Sequence, residues 1–283
     1  MRGRKRLVLS AFLGLTLLAG ACAEEEPTGG GGGGGGGGTP EPAFTTLEEG
    51  VLQVGSCLDF PPFESVEGGD EVGFDVDLAE AIAQNLGLEV QWVRADFDTI
   101  FTAVAGNQFD MVAAASTITE EREQVVDFSD PYYNSRQALV VNTEETPDIA
   151  STADIGEGDT VGVQRGTTGK DWADENLAPQ GAEITSFTNA PDAFRDLEAG
   201  NVTAVVNDEP SSAEIIKDLP GLAIAEVIDT GEKYGFAFSP ENPELRDAVN
   251  GALAELIADG TYQQIFEQYF PGVEVPPEFQ PTA

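Results

Sequence analysis

The sequence predicts an α/β fold with largely parallel sheets. Short apolar runs typical of buried strands alternate with segments whose apolar residues recur at helical spacing. This alternation occurs in two rounds, separated by a polar, unpatterned stretch at 143–151. Strands that alternate with helices favour an α/β architecture. The roughly 240 residues after residue 43 are enough for two compact lobes or one large domain.

The first round begins with an apolar strand at 51–55. A helix at 74–86 follows, in which Leu78 and Ile82 recur at helical spacing and Gly87 marks the end. The remaining elements of this round are a strand at 88–93, a short helix around 100–104, a buried strand at 110–115, a helix at 119–125 and a strand at 137–142.

The second round repeats the same pattern after the polar stretch. Its predicted strands are 160–163, 184–187, 202–206, 223–227 and 234–238, and its predicted helices are 168–176, 190–199, 210–217, 243–258 and 262–269.

The N-terminal segment predicts export. Residues 1–21 combine a basic start, an apolar core and small residues before Cys22, which resembles a bacterial lipoprotein signal. We therefore expect Cys22 to be lipidated and to anchor the protein to the membrane. An ordinary cleaved signal and a retained anchor are the alternatives.

A tether is predicted at 22–43, because three glutamates lead into an unbroken glycine run that cannot bury apolar surface. No later stretch is long and apolar enough to cross a bilayer. We expect an extracytoplasmic protein that is anchored to the membrane near its N-terminus. With Cys22 lipidated, Cys57 has no intramolecular disulfide partner and is expected to be a small buried residue.

The charge balance excludes several function classes. The chain has 13 Lys and Arg, 51 Asp and Glu and no His. Residues 1–21 hold four of the basic residues and no acid, so the remaining chain has a net charge of −42. Nucleic-acid binding is excluded for want of a basic patch. A His-based catalytic triad and a His-ligated metal are excluded too, and we expect no cofactor and no metal site.

Three segments that follow predicted strands carry candidate ligand-binding groups. In α/β sheets, ligands bind outside the carboxyl ends of the strands. An arginine fork, hydroxyls, loop N–H groups and a carboxylate together match the two charged ends of an amino-acid zwitterion. The candidates are Ser116, Thr117 and Arg122 after the strand at 110–115, Gly166, Thr167 and Thr168 after the strand at 160–163, and Asp208 after the strand at 202–206.

Each candidate also has a purely structural alternative. Arg122 could be a surface residue paired with Glu120 or Glu123. Thr117 could only cap the helix at 119–125, because its spacing from Glu120 is that of a capping box. Asp208 could only cap the helix that follows it.

The run Gly73-Phe74-Asp75-Val76-Asp77-Leu78, with Ile82, Ala83 and Leu86, resembles the signature of the extracellular solute-binding proteins, family 3. These are receptors of bacterial ABC importers for polar amino acids. Further blocks agree in order, and the similarity covers roughly 45–272. The blocks are Phe60 to Glu64, Thr117 to Arg122, Gly166 to Thr168, Asn207-Asp208 and Asp259 to Tyr262.

The resemblance implies a two-lobe, type II periplasmic-binding-protein-like fold, with two mixed sheets flanked by helices and joined by two hinge strands. The first lobe would be 44–138 plus 236–283, and the second 139–235. The crossing strands would lie near 138–142 and 234–238.

The family's roles transfer to matching residues of this chain. Arg122 would hold the ligand carboxylate, helped by the Thr117 hydroxyl and backbone N–H. Thr168 and its loop would close on the same carboxylate, and Asp208 would hold the ammonium group. Phe60 matches an aromatic residue that packs on the ligand, with ordinary core as its alternative.

Two departures bear on specificity. Cys57 stands where some relatives have an aspartate that reads the ligand side chain, and Ala114 and Ala115 stand where some have serines. The part of the site near the ligand side chain should therefore be less polar than in those relatives. Glu64 is expected at the surface. Polar contacts could come from Asp59, Gln164 and Arg165.

The expected function is a monomeric receptor, not an enzyme, that captures an amino acid between its lobes and presents it to an ABC permease. An enzyme on the same fold would have to rely on Glu64, Asp59 or Asp208 for acid–base chemistry. No paired-carboxylate motif supports that alternative. A ligand-sensing ectodomain is the third possibility.

Overall fold

The computed structural model of the protein describes residues 44–281. The expected signal, the expected lipidation site Cys22 and the expected tether lie outside the described residues. The helices are α1 (Phe74–Leu86), α2 (Phe97–Ala105), α3 (Thr168–Asn176), α4 (Ala190–Glu198), α5 (Glu209–Ile215), α6 (Pro243–Asp259) and α7 (Thr261–Tyr269). The strands are β1 (Val51–Ser56), β2 (Ser65–Glu67), β3 (Asp70–Val72), β4 (Glu89–Arg94), β5 (Met111–Val112), β6 (Asp127–Phe128), β7 (Tyr133–Asn142), β8 (Thr160–Gln164), β9 (Glu183–Phe187), β10 (Ala204–Asp208), β11 (Leu222–Tyr234) and β12 (Ala237–Phe238).

The first of two five-stranded sheets has the order β4-β1-β5-β12-β6. Strands β4, β1 and β5 are parallel, and β12 is antiparallel to both of its neighbours. Helix α1 buries Leu78 and Ile82 against this sheet and contacts α6 and α7. We call this part of the molecule the first lobe.

The second five-stranded sheet has the order β11-β7-β10-β8-β9. It is also mixed, because β10, β8 and β9 are parallel while β7 is antiparallel to β10 and β11. Val161, Val163 and Val206 are buried in a separate core cluster under helix α3. We call this part the second lobe. Both sheets are mixed and flanked by helices, so the predicted fold class is confirmed.

The chain passes between the sheets twice. It leaves the first sheet after β6 and enters the second at β7, and it returns between the end of β11 and β12. Buried aromatic rings surround these passages. Tyr132 stacks on Phe236 with ring centroids 4.4 Å apart, and Phe63 lies edge-on to Tyr133 and Tyr234 at 5.0 and 5.2 Å.

The segment around Arg122 differs from the prediction of a helix at 119–125. Only a single 3-10 turn forms, at Arg122–Gln124. Thr117 caps no helix, because its backbone pairs with Tyr234 of β11 and holds the segment extended. The N–H of Arg122 instead donates to the Thr119 hydroxyl at 3.2 Å. The capping-box prediction was therefore wrong, since a long-range backbone contact outweighs the local signal.

The predicted buried strand at 110–115 is also shorter, and pairs only at Met111–Val112. Ala115 has a positive φ of 44°, and its N–H donates to Asp75 Oδ2 at 2.8 Å instead of to a neighbouring strand. The chain thus turns out of the sheet and carries the following residues toward the second lobe.

Among residues 44–281, no helix is both long enough and apolar enough to span a membrane.

Candidate functional site

A small cavity of about 20 Å³ lies between the two lobes. It sits where β5, β8 and β10 end, as expected for an α/β sheet. This volume holds about one water molecule, so a larger ligand would require the lobes to lie further apart. The lining residues are Cys57, Phe60, Glu64, Phe97, Ala114, Ala115, Thr117, Arg122, Gln164, Thr167, Thr168 and Asp208.

Arg122 lies at the meeting point of the lobes. Its Nη1 donates to the Thr117 carbonyl at 2.7 Å and its Nη2 to the Gly166 carbonyl, in the second lobe, at 2.9 Å. The guanidinium also lies over the rings of Phe97 and Phe101, with its carbon 5.2 and 4.7 Å from the centroids. A guanidinium has five N–H groups, so three are left without a partner among the described residues.

Burial lowers the pKa of Arg122, while the charges of Asp208 and Glu232 oppose that shift. The planar fork is thus held partly out of water by two aromatic rings and two carbonyls. It is suited to pair with a carboxylate in the cavity.

Asp208 lines the same cavity from the end of β10. Its Oδ1 accepts from the Tyr234 hydroxyl at 2.6 Å and from the Ser135 hydroxyl at 3.2 Å. Burial, reinforced by the charge of Glu232, raises the pKa of Asp208 to about 7. The side chain makes no capping bond to helix α5, which excludes the simple capping role. A buried carboxylate of this kind can bind a cationic group that compensates its charge.

The loop after β8 brings threonines and a helix start to the cavity. Thr167 caps α3, since its Oγ1 accepts from the Lys170 N–H at 3.1 Å. The first N–H groups of a helix have no partner within it, so those of Thr168 and Gly169 are available to an anion. The Thr168 and Thr117 hydroxyls both donate to Oε2 of Glu232, at 2.8 and 2.7 Å.

Glu64 is almost fully buried and lines the cavity, so the expectation that it lies at the surface was wrong. The tight turn from Phe60 to Glu64 packs on the start of α1, where the Asp75 N–H donates to the Phe63 carbonyl at 2.9 Å. This contact turns the glutamate inward. Its Oε2 has no hydrogen-bond partner among the described residues. Burial, then the charge of Asp75, raises the Glu64 pKa well above its ordinary value.

Most of the predicted site residues line this cavity, and two do not. Ser116 lies behind the lining, fully buried, with its hydroxyl donating to the Ala114 carbonyl at 3.3 Å. Gly166 contributes only the carbonyl that accepts from Arg122. Phe60, Thr117, Arg122, Thr167, Thr168 and Asp208 are brought together.

Sequence reasoning missed Phe97 as a lining residue. It sits one position after the N-cap of α2, and the pattern alone gave no reason to separate it from core aromatics. Cys57 is buried, as expected, and is a free thiol whose pKa is raised by burial.

A second cavity, of about 220 Å³, adjoins the first through the shared residues Cys57, Phe97 and Gln164. Two carboxylates, Asp59 and Asp96, line it. Its other lining residues are Arg94, Ala95, Thr188 and Asn189. Burial raises the pKa of Asp59, and Arg94, 3.9 Å away, partly offsets that shift.

A family model described as bacterial extracellular solute-binding proteins, family 3, matches residues 52–272. The chain belongs to this family. The match covers both lobes and all the residues that line the cavity.

Curated relatives of this family 3 protein agree with that assignment. The histidine-binding periplasmic protein of Salmonella typhimurium is 32% identical over 230 residues, which cover 77% of this chain and 87% of that protein. The name of this relative describes a binding protein for histidine.

Solved structures also resemble this family 3 protein. An ancestral arginine-binding protein bound to arginine has 41% identity and a TM-score of 0.75, over 78% of this chain and 98% of that one. The ancestral amino acid-binding protein AncCDT-1, a precursor of cyclohexadienyl dehydratase, has 38% identity and a TM-score of 0.73, over 78% and 96%.

Proposed function

We propose that this protein is the receptor of an ABC importer, which captures an amino acid between its two lobes and delivers it to the permease. The observation that carries the proposal is that Arg122 and Asp208 line one cavity from opposite lobes. An α-amino acid has a carboxylate and an ammonium group on the same carbon. It therefore complements both residues at once.

In the proposed complex, Arg122 and the free N–H groups of the first turn of α3 bind the carboxylate, and Asp208 binds the ammonium. Phe60 and Phe97 pack against the ligand side chain. Closure is then a population shift, driven by contacts that exist only when the lobes meet.

The ligand side chain is proposed to be cationic. It would extend from the first cavity into the second, where Asp59 and Asp96 supply negative charge and Arg94 is the one cation among the lining residues. Glu64, with an unpartnered oxygen, adds a further acceptor in the first cavity. Asp59 and Asp96 thus supply negative charge that is missing where Cys57 replaces the aspartate of some relatives. The structural likeness to an arginine-bound protein supports the same choice.

We propose that residues 1–21 are a lipoprotein signal, that lipidated Cys22 anchors the protein outside the cytoplasm, and that 22–43 is a tether. The protein would act as a monomer without a metal or cofactor.

A lyase or dehydratase acting on a small carboxylate is the second candidate. The likeness to a precursor of cyclohexadienyl dehydratase and the buried, unpartnered Glu64 oxygen favour it. The receptor is preferred because the relative from Salmonella typhimurium is named as a histidine-binding protein.

The test is a thermal-shift panel of the purified protein with each of the twenty amino acids, in which L-arginine, L-lysine and L-histidine are compared with L-glutamine and L-glutamate. A ligand at 100 times its Kd stabilises the native state by about 2.7 kcal/mol. We expect the largest increase in Tm from a basic amino acid. An Asp59→Asn variant should lose that preference.

The outcomes separate the parts of the proposal. A larger shift from L-glutamine or L-glutamate would reject only the cationic side chain. No shift from any of the twenty amino acids would reject the receptor. Loss of the added compound on incubation, followed by chromatography, would favour the enzyme.

A further inference from the structure

Glu232 is a buried carboxylate on β11 that sequence reasoning did not single out. It is 9% exposed and is not one of the residues that line the cavity. It lies behind two residues that do line the cavity, Thr117 and Thr168. Its Oε2 accepts from the Thr117 hydroxyl of the first lobe at 2.7 Å and from the Thr168 hydroxyl of the second lobe at 2.8 Å.

The other oxygen of Glu232 is held equally firmly. Its Oε1 accepts from Gln137 Nε2 at 3.1 Å and from the Thr230 hydroxyl at 2.8 Å. Four donors thus surround one carboxylate, which can accept all of them. Gln137 Nε2 also lies 3.5 Å from Thr168 Oγ1, at the limit of a hydrogen bond.

This arrangement restricts what the two threonines can offer a ligand. A hydroxyl has one hydrogen and two lone pairs. Because the hydrogens of Thr117 and Thr168 point to Glu232, only oxygen lone pairs remain for the cavity. A ligand carboxylate cannot pair with a lone pair, whereas an ammonium group can donate to it.

We infer that Glu232 is a positioning residue that sets the polarity of Thr117 and Thr168, so that both hydroxyls accept from the ligand ammonium. Recognition of the carboxylate then rests on Arg122 and on backbone N–H groups. This inference deepens the proposed function and rests on it. It replaces the expectation that the Thr117 hydroxyl helps to hold the carboxylate.

The first test asks which end of the ligand the hydroxyls contact. Thr117→Val and Thr168→Val keep the side-chain shape and remove the hydroxyl. The probes are L-arginine with its desamino analogue 5-guanidinopentanoate, and L-glutamine with its desamino analogue glutaramate, all measured by calorimetry. We expect each variant to weaken amino-acid binding about tenfold or more, as for the loss of a hydrogen bond to a charged group. Binding of the desamino analogue should change little.

The second test asks whether Glu232 is the cause. Glu232→Met keeps the length of the side chain and removes both acceptors, which frees the hydroxyl hydrogens to turn into the cavity. The preference for the amino acid over its desamino analogue should then fall several-fold. Glu226→Met is the matched control, because Glu226 lies on the same strand and its carboxylate accepts from the Thr152 N–H at 2.7 Å, outside the cavity. It should keep the wild-type preference.

The outcomes distinguish this inference from the proposed function. Equal loss of affinity for both members of a pair in the valine variants would overturn the inference, as would an unchanged preference in folded Glu232→Met. If Glu232→Met does not fold, the valine variants decide alone. If the wild-type protein binds neither amino acid of the two pairs and no other amino acid, the proposed function fails and the inference fails with it.

Discussion

At the scale of single residues, Arg122 shows why a candidate ligand-binding residue could be predicted from a short motif. A cation is rare in this acidic chain, and Arg122 follows a buried strand and two threonines. The structure places it over two aromatic rings and among the residues that line the cavity. The surface pairing with Glu120 or Glu123 does not form among the ion pairs of residues 44–281.

Replacing Arg122 with alanine should weaken ligand binding by about 2–5 kcal/mol, because the ligand carboxylate would lose its buried charged partner. Calorimetry measures the change. Arg122→Lys should recover only part of the loss, since a lysine has the charge without the planar fork.

The matched control for this prediction is Arg136→Ala. Arg136 is half exposed, pairs with Glu209 at 3.4 Å and lies outside the cavity. Its loss should leave affinity close to the wild-type value. Unchanged affinity in Arg122→Ala would instead place the carboxylate clamp elsewhere.

Residues such as Glu64 and Glu232 could not have been found from local pattern. Glutamate is usually exposed, and nothing beside it in the chain contradicts that. Glu64 is buried because its turn packs on α1, and Glu232 because it meets threonines 115 and 64 residues away. Contacts between residues so far apart in the chain are not encoded by neighbouring residues.

At the scale of elements, helices with strong periodicity and a clear stop were predicted well. Helix α1 was confirmed at 74–86, and Gly87 ends it with a left-handed φ of 73°. Helix α3 was likewise confirmed at 168–176. The predicted strands at 223–227 and 234–238 were less accurate, because Leu222–Tyr234 forms one long strand against β7.

The loop after β8 supplies a prediction about closure. Gly166 has φ +74°, and an added Cβ would lie 3.0 Å from Asp98 Cα in the first lobe. Gly166→Ala should therefore oppose the approach of the lobes and weaken ligand binding. The left-handed backbone should also cost about 1–2 kcal/mol of unfolding free energy.

Gly158→Ala is the control that separates these two effects. Gly158 has φ +97° in the same lobe, but an added Cβ would meet nothing within 4 Å. It should lose similar stability by chemical denaturation while keeping ligand affinity by calorimetry. Equal affinity losses in both variants would mean that the contact between Gly166 and Asp98 does not limit closure.

At the scale of the whole molecule, buried acids dominate the pH response. Burial raises the pKa values of Asp75 and Asp208 to about 7, from ordinary values near 3.8. In the unfolded chain, these groups lose their protons at much lower pH. The folded state therefore binds more protons between about pH 4 and pH 7.

The free energy of unfolding should consequently fall as pH rises from about 4 to about 7, because ionising these buried groups disfavours the folded state. Urea unfolding at a series of pH values measures this. Asp75→Asn should flatten part of the dependence, since an amide oxygen can still accept from the Ala115 N–H and the Tyr132 hydroxyl. Stability that rises across this pH range would contradict the prediction.

The sequence by itself determined the class of the protein. Alternating strands and helices established the α/β architecture, the acidic composition excluded nucleic-acid binding, and the family motif predicted the two lobes. Each of these depends on local spacing or on composition, which a chain carries without folding. The positions of Arg122, Thr168 and Asp208 after strands also followed from that pattern.

Only the tertiary structure decided how the site is built. It brought the ends of β5, β8 and β10 to one cavity, turned Glu64 inward, and placed Glu232 behind the threonines of both lobes. Burial and hydrogen-bond polarity depend on groups that are far apart in the chain. They exist only once the lobes have packed together, which is why no local motif could specify them.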